Sequence, residues 1–241
     1  MEAGVQGTGR TRTGGAGRGP AADSWRWAGR LLVAGGLLAA ASTVLHPVTL
    51  DPGNAAEVLD AVRRAPERWV AVHVGLGLGV AAWSLGWFLV YQGLREAGRA
   101  RWSGAGAMLA TAALAVWLPL LALEAAGLPL LARAARPDES PLWFDVAWPA
   151  TLAGGYVATW LYWLAGMAAA WDLASLAPTG GPRVSRSMAL AALLPGLPGM
   201  VLAWLFPHAA VPLLLASLIP GALWALVLAW RLARGPGGSR R

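Results

Sequence analysis

The chain has 241 residues, of which 57% are hydrophobic and only 13% are charged, and its mean hydropathy is +0.53. Soluble domains carry about 25% charged residues, so this composition is that of a membrane protein. The formal charge of +7 does not indicate a nucleic-acid partner, because the arginines fall in the tails and in short connections between apolar runs. The absence of cysteine excludes disulfides, thiolate nucleophiles and cysteine-ligated metal centres.

The N-terminal segment, residues 1–24, is rich in glycine and arginine and has almost no apolar residue to bury. It predicts a disordered, basic tail, which we place in the cytoplasm. The apolar run of residues 25–45 is long enough to cross about 30 Å of hydrocarbon at about 1.5 Å per residue. A cleaved signal peptide is the alternative, with the alanines at 39–41 as the cleavage site. Trp25 and Trp27 favour a retained helix, because indole rings prefer the membrane interface.

Five more apolar runs follow, and the six together predict an all-α, polytopic transmembrane helix bundle that occupies residues 25–232. A pair of prolines within PGLPG marks the fifth run as irregular, because each proline removes a backbone donor. The predicted spans cover residues 25–45, 69–94, 106–131, 149–173, 188–206 and 212–232.

Charges in the connections predict the orientation of the bundle. Residues 95–101, residues 182–187 and the C-terminal tail 233–241 are rich in arginine, whereas residues 136–145 carry three acidic side chains. Arginine close to a span end is retained on the cytoplasmic side, so both termini are predicted to be cytoplasmic. This layout is typical of small multi-pass proteins of the bacterial inner membrane, and we expect the chain there, in contact with the lipid bilayer. A shared layout implies no activity.

The connection between the first two spans contains the pattern of a short helix. Asn54 followed by Glu57 is a capping pair, and Asp60 and Arg64 lie four residues apart. Apolar positions recur at helical spacing, at Val58, Ala61 and Val62. We interpret this segment as a helix that covers the outer rim of the bundle, with gating or partner binding as the alternative.

The second span has two contrasting sides. One is a small-residue stripe, which predicts the close approach of a neighbouring helix; its members are Gly75, Gly79, Ala82 and Gly86. The other carries His73, Ser84 and Tyr91, whose polar atoms would be costly against lipid tails, so we expect them to face other helices or a cavity. Ser84 and Tyr91 are therefore candidates for ligand contact or proton coupling, as is Tyr156 on the polar side of the fourth span.

All three histidines fall on the predicted outer side. His46 follows the first span, His73 lies just inside the second, and His208 sits in the turn between the fifth and sixth. Imidazole is a common ligand of zinc, copper and haem iron, so the three histidines are a candidate metal set, with Asp145 as a further ligand. The spacing does not itself bring them together. The alternative for His73 is a histidine at the membrane interface that only forms hydrogen bonds. A haem with two histidine ligands would need two histidines within the spans, and only His73 lies clearly within one.

Glu124 is the most costly residue in the predicted spans, because no charged residue accompanies it there. It lies about 13 Å along the helix from Arg133. Tyr156 of the fourth span is its candidate hydrogen-bond partner, because the two residues are predicted at a similar depth in the membrane. Proton coupling or ligand contact is the functional interpretation, and a structural hydrogen bond is the alternative. Asp172, at the cytoplasmic end of the fourth span, is expected to be solvated.

No catalytic motif is present in the sequence: neither a GxSxG elbow, nor a P-loop, nor a GxGxxG turn in a βαβ unit. We therefore name no catalytic residue and no cofactor. The first functional hypothesis is a small transporter or permease-like protein that uses the carboxyl of Glu124. The alternatives are a metal- or haem-binding membrane protein with an outer-face histidine site, and a structural or accessory subunit that packs against another membrane protein or a second copy.

Overall fold

The computed structural model describes residues 20–47, 51–136, 140–179 and 185–234, and every regular element in these ranges is helical. Residues 1–19 and 235–241, which make up most of the two predicted tails, lie outside the described residues, as do the predicted outer acids Asp138 and Glu139. The helix over the first span begins at Pro20, within the predicted tail.

Nine α-helices follow one another in the described part of the chain. A π-helical turn at Leu123–Gly127 joins α4 to α5, and short 3₁₀ turns follow α6 and α8 at Ala174–Thr179 and Pro207–Ala209. The helices are α1 (Pro20–Leu45), α2 (Ala55–Arg64), α3 (Pro66–Glu96), α4 (Ser103–Ala122), α5 (Leu128–Ala134), α6 (Leu142–Leu173), α7 (Arg186–Leu193), α8 (Gly196–Leu205) and α9 (Ala210–Arg234).

Five helical segments of the described residues are long and apolar enough to cross a membrane: Asp23–Leu45, Pro66–Glu96, Ser103–Ala134, Arg186–Leu205 and Pro207–Arg234. They coincide with the first, second, third, fifth and sixth predicted spans. The fourth, residues 149–173, lies in the 32-residue helix α6, which is not among the five. The count of six spans therefore stays a prediction.

Helices α1 and α3 lie in backbone contact over much of their length. A methyl group built on Gly79 would lie 2.9 Å from the Ala39 nitrogen, and one built on Gly35 would lie 2.6 Å from the Gly79 oxygen. At Gly86 the nearest atom would be the Leu32 Cγ, at 2.6 Å. The small-residue stripe of the second span therefore packs directly on α1, and the predicted close approach is confirmed.

Helix α2 covers one end of the bundle. The Asn54 side chain accepts the backbone N–H of Glu57 at 3.2 Å, as the capping pair predicts. The apolar side of α2 packs on residues of α3, α5 and α6. Asp60 pairs with Arg63, which also donates to the carbonyl of Ala132 at 2.8 Å, so the expected pairing with Arg64 is wrong.

At the opposite end, Asp172 joins α6 to the start of α4. Its Oδ2 accepts the backbone N–H groups of Trp102 and Ser103, both at 2.7 Å, and the residue is only 3% exposed. The first N–H groups of a helix have no partner within the helix, and its N-terminus favours negative charge, which explains the position of the carboxylate. The expectation that Asp172 is solvated is therefore wrong.

The predicted irregularity in the fifth apolar run is a break between two helices. Helix α7 ends at Leu193 and α8 begins at Gly196, and the backbone N–H of Leu197 donates back to the carbonyl of Leu194 at 3.1 Å. Prolines 195 and 198 supply no N–H to continue the ladder. The break therefore follows from the PGLPG sequence, as expected.

Replacing Gly79 with alanine should lower the free energy of unfolding by about 1–3 kcal/mol, because the new methyl group meets backbone atoms of α1 that cannot move aside. Gly77 is the matched control on the same helix, since a methyl group there has its nearest neighbour at 3.9 Å. Gly77→Ala should be neutral or stabilising by up to about 1 kcal/mol. Unfolding by sodium dodecyl sulfate in mixed micelles, followed by circular dichroism, measures both. Equal stability of the two variants would contradict the close packing.

Candidate functional site

Three of the predicted site residues come from different parts of the chain and lie close together. His46 immediately follows α1, His73 lies in the first turns of α3, and Glu124 lies in the π-helical turn between α4 and α5. We call these three side chains the histidine–glutamate cluster, and the end of the bundle that holds them, covered by α2, the cluster end.

The contacts within the cluster are short. The Nε2 of His73 lies 2.7 Å from the Oε2 of Glu124 and 3.3 Å from the Nε2 of His46. His73 is 2% exposed, and the Glu124 side chain is 16% exposed. Glu124 therefore has a partner at hydrogen-bond distance. The partner is His73 and not Tyr156, whose ring packs against Trp204 with the ring centres 6.2 Å apart.

The backbone around Glu124 departs from α geometry and leaves the Glu124 carbonyl without a backbone donor. In the π-helical turn the N–H of Leu128 donates to the carbonyl of Leu123. The same pattern would pair the Glu124 carbonyl with residue 129, but Pro129 has no N–H. The indole Nε1 of Trp69 donates to that carbonyl instead, at 2.9 Å. Trp69 thus fixes the backbone that carries Glu124.

Backbone hydrogen bonds fix the tautomers of both histidines. The Nδ1 of His46 lies 2.8 Å from the carbonyl oxygen of Pro47, and the Nδ1 of His73 lies 2.7 Å from that of Trp69. A carbonyl oxygen only accepts hydrogen bonds, so each Nδ1 carries a proton and donates it. In a neutral imidazole the Nε2 then has a lone pair and no proton. The Nε2 of His73 lies between the Oε2 of Glu124 and the Nε2 of His46 as its two polar neighbours.

The ring of Trp69 packs on both imidazoles. The ring centres of Trp69 and His46 are 4.9 Å apart, and those of Trp69 and His73 are 4.6 Å apart. Burial lowers the pKa of His46, which lies just outside the first span, and the neighbouring His73 lowers it further. Burial therefore disfavours the charged form of His46, whose Nε2 lies at hydrogen-bond distance from that of His73.

The third predicted metal ligand lies apart from the other two. His208 is in the 3₁₀ turn before α9, and the ring nearest to it is that of Phe206, with the centres 6.4 Å apart. The structure thus brings together His46 and His73 but not the predicted three-histidine set. Among the described residues, no group of three or more His, Asp or Glu side chains could hold a metal ion.

The other candidate residues are also distant from Glu124. Ser84 hydrogen-bonds the hydroxyl of Tyr162 on α6, and its Oγ donates to the carbonyl of Val80 at 2.8 Å. Tyr91 packs near Gly104 at the start of α4. The predicted polar side of α3 does face other helices, at His73 and Ser84, but its members belong to separate contacts.

Replacing Trp69 with phenylalanine should lower the free energy of unfolding by about 1–3 kcal/mol, because a smaller aromatic ring takes the buried position and the carbonyl of Glu124 loses its donor. Trp143→Phe is the control, since that tryptophan is 62% exposed and begins α6 at the same end. Its replacement should change stability by less than about 0.5 kcal/mol. The detergent unfolding midpoints of the two variants provide the measurement, and coincident midpoints would argue against this role of the indole.

Comparison with protein-family models, with curated proteins and with solved structures gives no match to this chain.

Proposed function

We propose that the protein is an integral membrane protein of six spans in the bacterial inner membrane, and that it is a small transporter or permease-like protein. In this proposal the histidine–glutamate cluster lies near the outer surface and exchanges a proton. The observation that carries the proposal is the 2.7 Å contact between the Nε2 of His73 and the Oε2 of Glu124.

The electrostatics of that contact require one proton between the two groups. The Nδ1 proton of His73 is committed to the Trp69 carbonyl, so the proton at Nε2 is the exchangeable one. It belongs either to an imidazolium beside a carboxylate or to a carboxylic acid beside a neutral imidazole. An ionisable pair in a membrane bundle is a functional-site hypothesis by default. The Nε2 of His46, 3.3 Å away and half-buried, extends the path towards the surface.

The opposite end of the bundle supports the proposed orientation. Four arginines there stack on tryptophan rings that are 42–56% exposed, as expected where basic and aromatic side chains meet lipid headgroups. We call this the arginine end and place it, with both termini, in the cytoplasm. The pairs are Arg30 with Trp27 at 5.0 Å, Arg101 with Trp102 at 5.7 Å, Arg186 with Trp171 at 4.7 Å, and Arg234 with Trp230 at 4.4 Å.

The break between α7 and α8 supplies the second feature expected of a transporter, because interrupted helices in membrane proteins often line a substrate path. A methyl group on Gly199 of α8 would lie only 2.0 Å from the Ser217 Oγ of α9, so the two helices are in close contact just past the break.

A haem group does not fit between the two histidines. Their ring centres are 4.9 Å apart with the planes at 71°, whereas two axial ligands must lie on opposite faces of the macrocycle. An accessory-subunit role remains the alternative in which the cluster is purely structural.

The proposed topology predicts that a reporter enzyme that is active only in the cytoplasm will be active when fused after Arg234 and inactive when fused at Asp51. The physical reason is the retention of arginine-rich ends on the cytoplasmic side. Fusions of a periplasm-active reporter at the same two positions should give the reverse result. Periplasmic activity of the fusion after Arg234 would contradict the orientation.

Glu124→Gln should reduce proton uptake by proteoliposomes by about 100-fold, because an amide cannot carry the shared proton. The liposomes hold a trapped pH dye and an imposed potential, and uptake is recorded with and without a panel of ionic solutes. Glu67→Gln is the matched control, since Glu67 is an exposed carboxyl at the same end. Equal uptake by wild type and Glu124→Gln across the panel would refute proton exchange at this residue.

A further inference from the structure

We propose that a cavity between α3 and α4 binds one small, uncharged molecule with an apolar body and a hydrogen-bond donor, of the class of the simple phenols. The cavity has a volume of about 120 Å³. This site is separate from the histidine–glutamate cluster, and the inference uses only the placement of α3 and α4 in the membrane and not the exchange of a proton. The walls are formed by Ser84, Leu85 and Phe88 of α3 and by Thr111, Leu114 and two alanines of α4.

The depth of the cavity selects an uncharged guest. Ser84 lies about three turns along α3 from His73, which is about 16 Å and close to the middle of the helix. The cavity is open to one side, and two of its wall residues, Leu85 and Phe88, are 57% and 45% exposed. In the proposed membrane placement this side faces hydrocarbon, where a charge is costly. The guest therefore enters from the lipid and carries no charge.

The size and the walls of the cavity select a compact apolar body. Every wall residue is uncharged, and leucine, phenylalanine and alanine form most of the lining. Engineered protein cavities of about 150 Å³ with leucine, isoleucine and phenylalanine in their walls bind benzene. A cavity of about 120 Å³ that is open on one side therefore accommodates one six-membered ring, and Phe88 offers that ring an aromatic neighbour.

The two hydroxyl groups of the wall select a donor. The Oγ of Ser84 donates to the carbonyl of Val80 at 2.8 Å, and the Oγ1 of Thr111 donates to the carbonyl of Ala107 at 2.9 Å. A hydroxyl has one proton to donate and two lone pairs that accept. Both protons are therefore committed to the backbone, and any hydrogen bond between these oxygens and a guest is one that the guest donates.

This requirement separates the proposed guest from a lipid acyl chain, the other molecule that could enter from the membrane. Ser84 already accepts from the hydroxyl of Tyr162, which leaves it one lone pair, and Thr111 has both of its own. A methylene chain offers these oxygens no donor, whereas a phenolic hydroxyl does. Because the surroundings are apolar, such a hydrogen bond does not compete with water.

The test uses the full chain in lipid nanodiscs, titrated with 4-fluorophenol and followed by fluorine magnetic resonance. The matched probe is 4-fluorotoluene, in which a methyl group replaces the hydroxyl. Empty nanodiscs give the partition of each probe into lipid. We expect one saturable site per chain for 4-fluorophenol, and an affinity about 3- to 10-fold lower for 4-fluorotoluene after correction for partition, since one hydrogen bond is lost.

Variants locate the site. Replacing both hydroxyls, in Ser84→Ala with Thr111→Val, should bring the affinities of the two probes to about the same value, because the acceptors are gone and the apolar walls remain. Thr151→Val is the matched control, since Thr151 donates in the same way to the carbonyl of Ala147 on α6, outside the cavity. It should leave the preference for the phenol unchanged.

Ala107→Leu provides a second measurement that keeps both hydroxyls. The larger side chain fills the cavity from its wall, so both probes should lose their saturable binding. This variant decides the matter if the double variant does not fold by circular dichroism.

Three results would overturn the proposal. The first is the absence of saturable binding of 4-fluorophenol to the wild type, which means partition into lipid only. The second is equal affinity of the wild type for the two probes, which means that the cavity accepts any apolar guest, an acyl chain included. The third is unchanged binding in Ala107→Leu, which places the probe elsewhere on the protein.

Discussion

The backbone contact between α1 and α3 is the constraint on which the cluster depends. His46 lies beyond the end of α1 and His73 near the start of α3, so their separation is set by how closely and in which register the two helices run. Glycines at 35 and 79 allow the approach, because any side chain there would meet the opposing backbone. In membranes, where apolar residues gain nothing by leaving lipid, such close packing is a main source of helix association. The same residues thus stabilise the bundle and place two imidazoles within 3.3 Å of each other.

The second constraint is the supply of backbone donors. Pro129 cannot donate to the preceding turn, and an unpaired carbonyl in a membrane bundle is costly. The π-helical turn and the Trp69 indole satisfy this requirement together, and in doing so they place Glu124 beside His73. A π-helical turn within an α-helix is frequently found at functional sites. Here the turn carries the carboxylate to which a function is assigned.

Much of the fold could be predicted because it depends on local patterns. The lengths of the apolar runs predicted the five helical segments that are able to span a membrane. The small-residue stripe predicted the face of α3 that packs closely on α1, and Asn54 predicted the N-terminal cap of α2. The partners of Glu124 and Asp172 could not be predicted, because they depend on which helices are neighbours and on how each is rotated. The role of Trp69 could not be predicted either: the Glu124 carbonyl lacks a backbone donor only because the N–H of Leu128 donates to Leu123 in the π-helical turn and Pro129 has no N–H.

The pair of hydrogen bonds that Asp172 accepts has a consequence for motion. Two adjacent N–H groups on one oxygen fix both the axial position and the rotation of α4 against α6 at the arginine end. A slide of one residue, about 1.5 Å, would break both bonds and strand a buried carboxylate. Helix α4 is therefore anchored about 30 Å from its other end. A displacement of Glu124 that keeps both bonds is then a rotation of α4 about this anchor or a flexing of the π-helical turn, and not a shift along the helix axis.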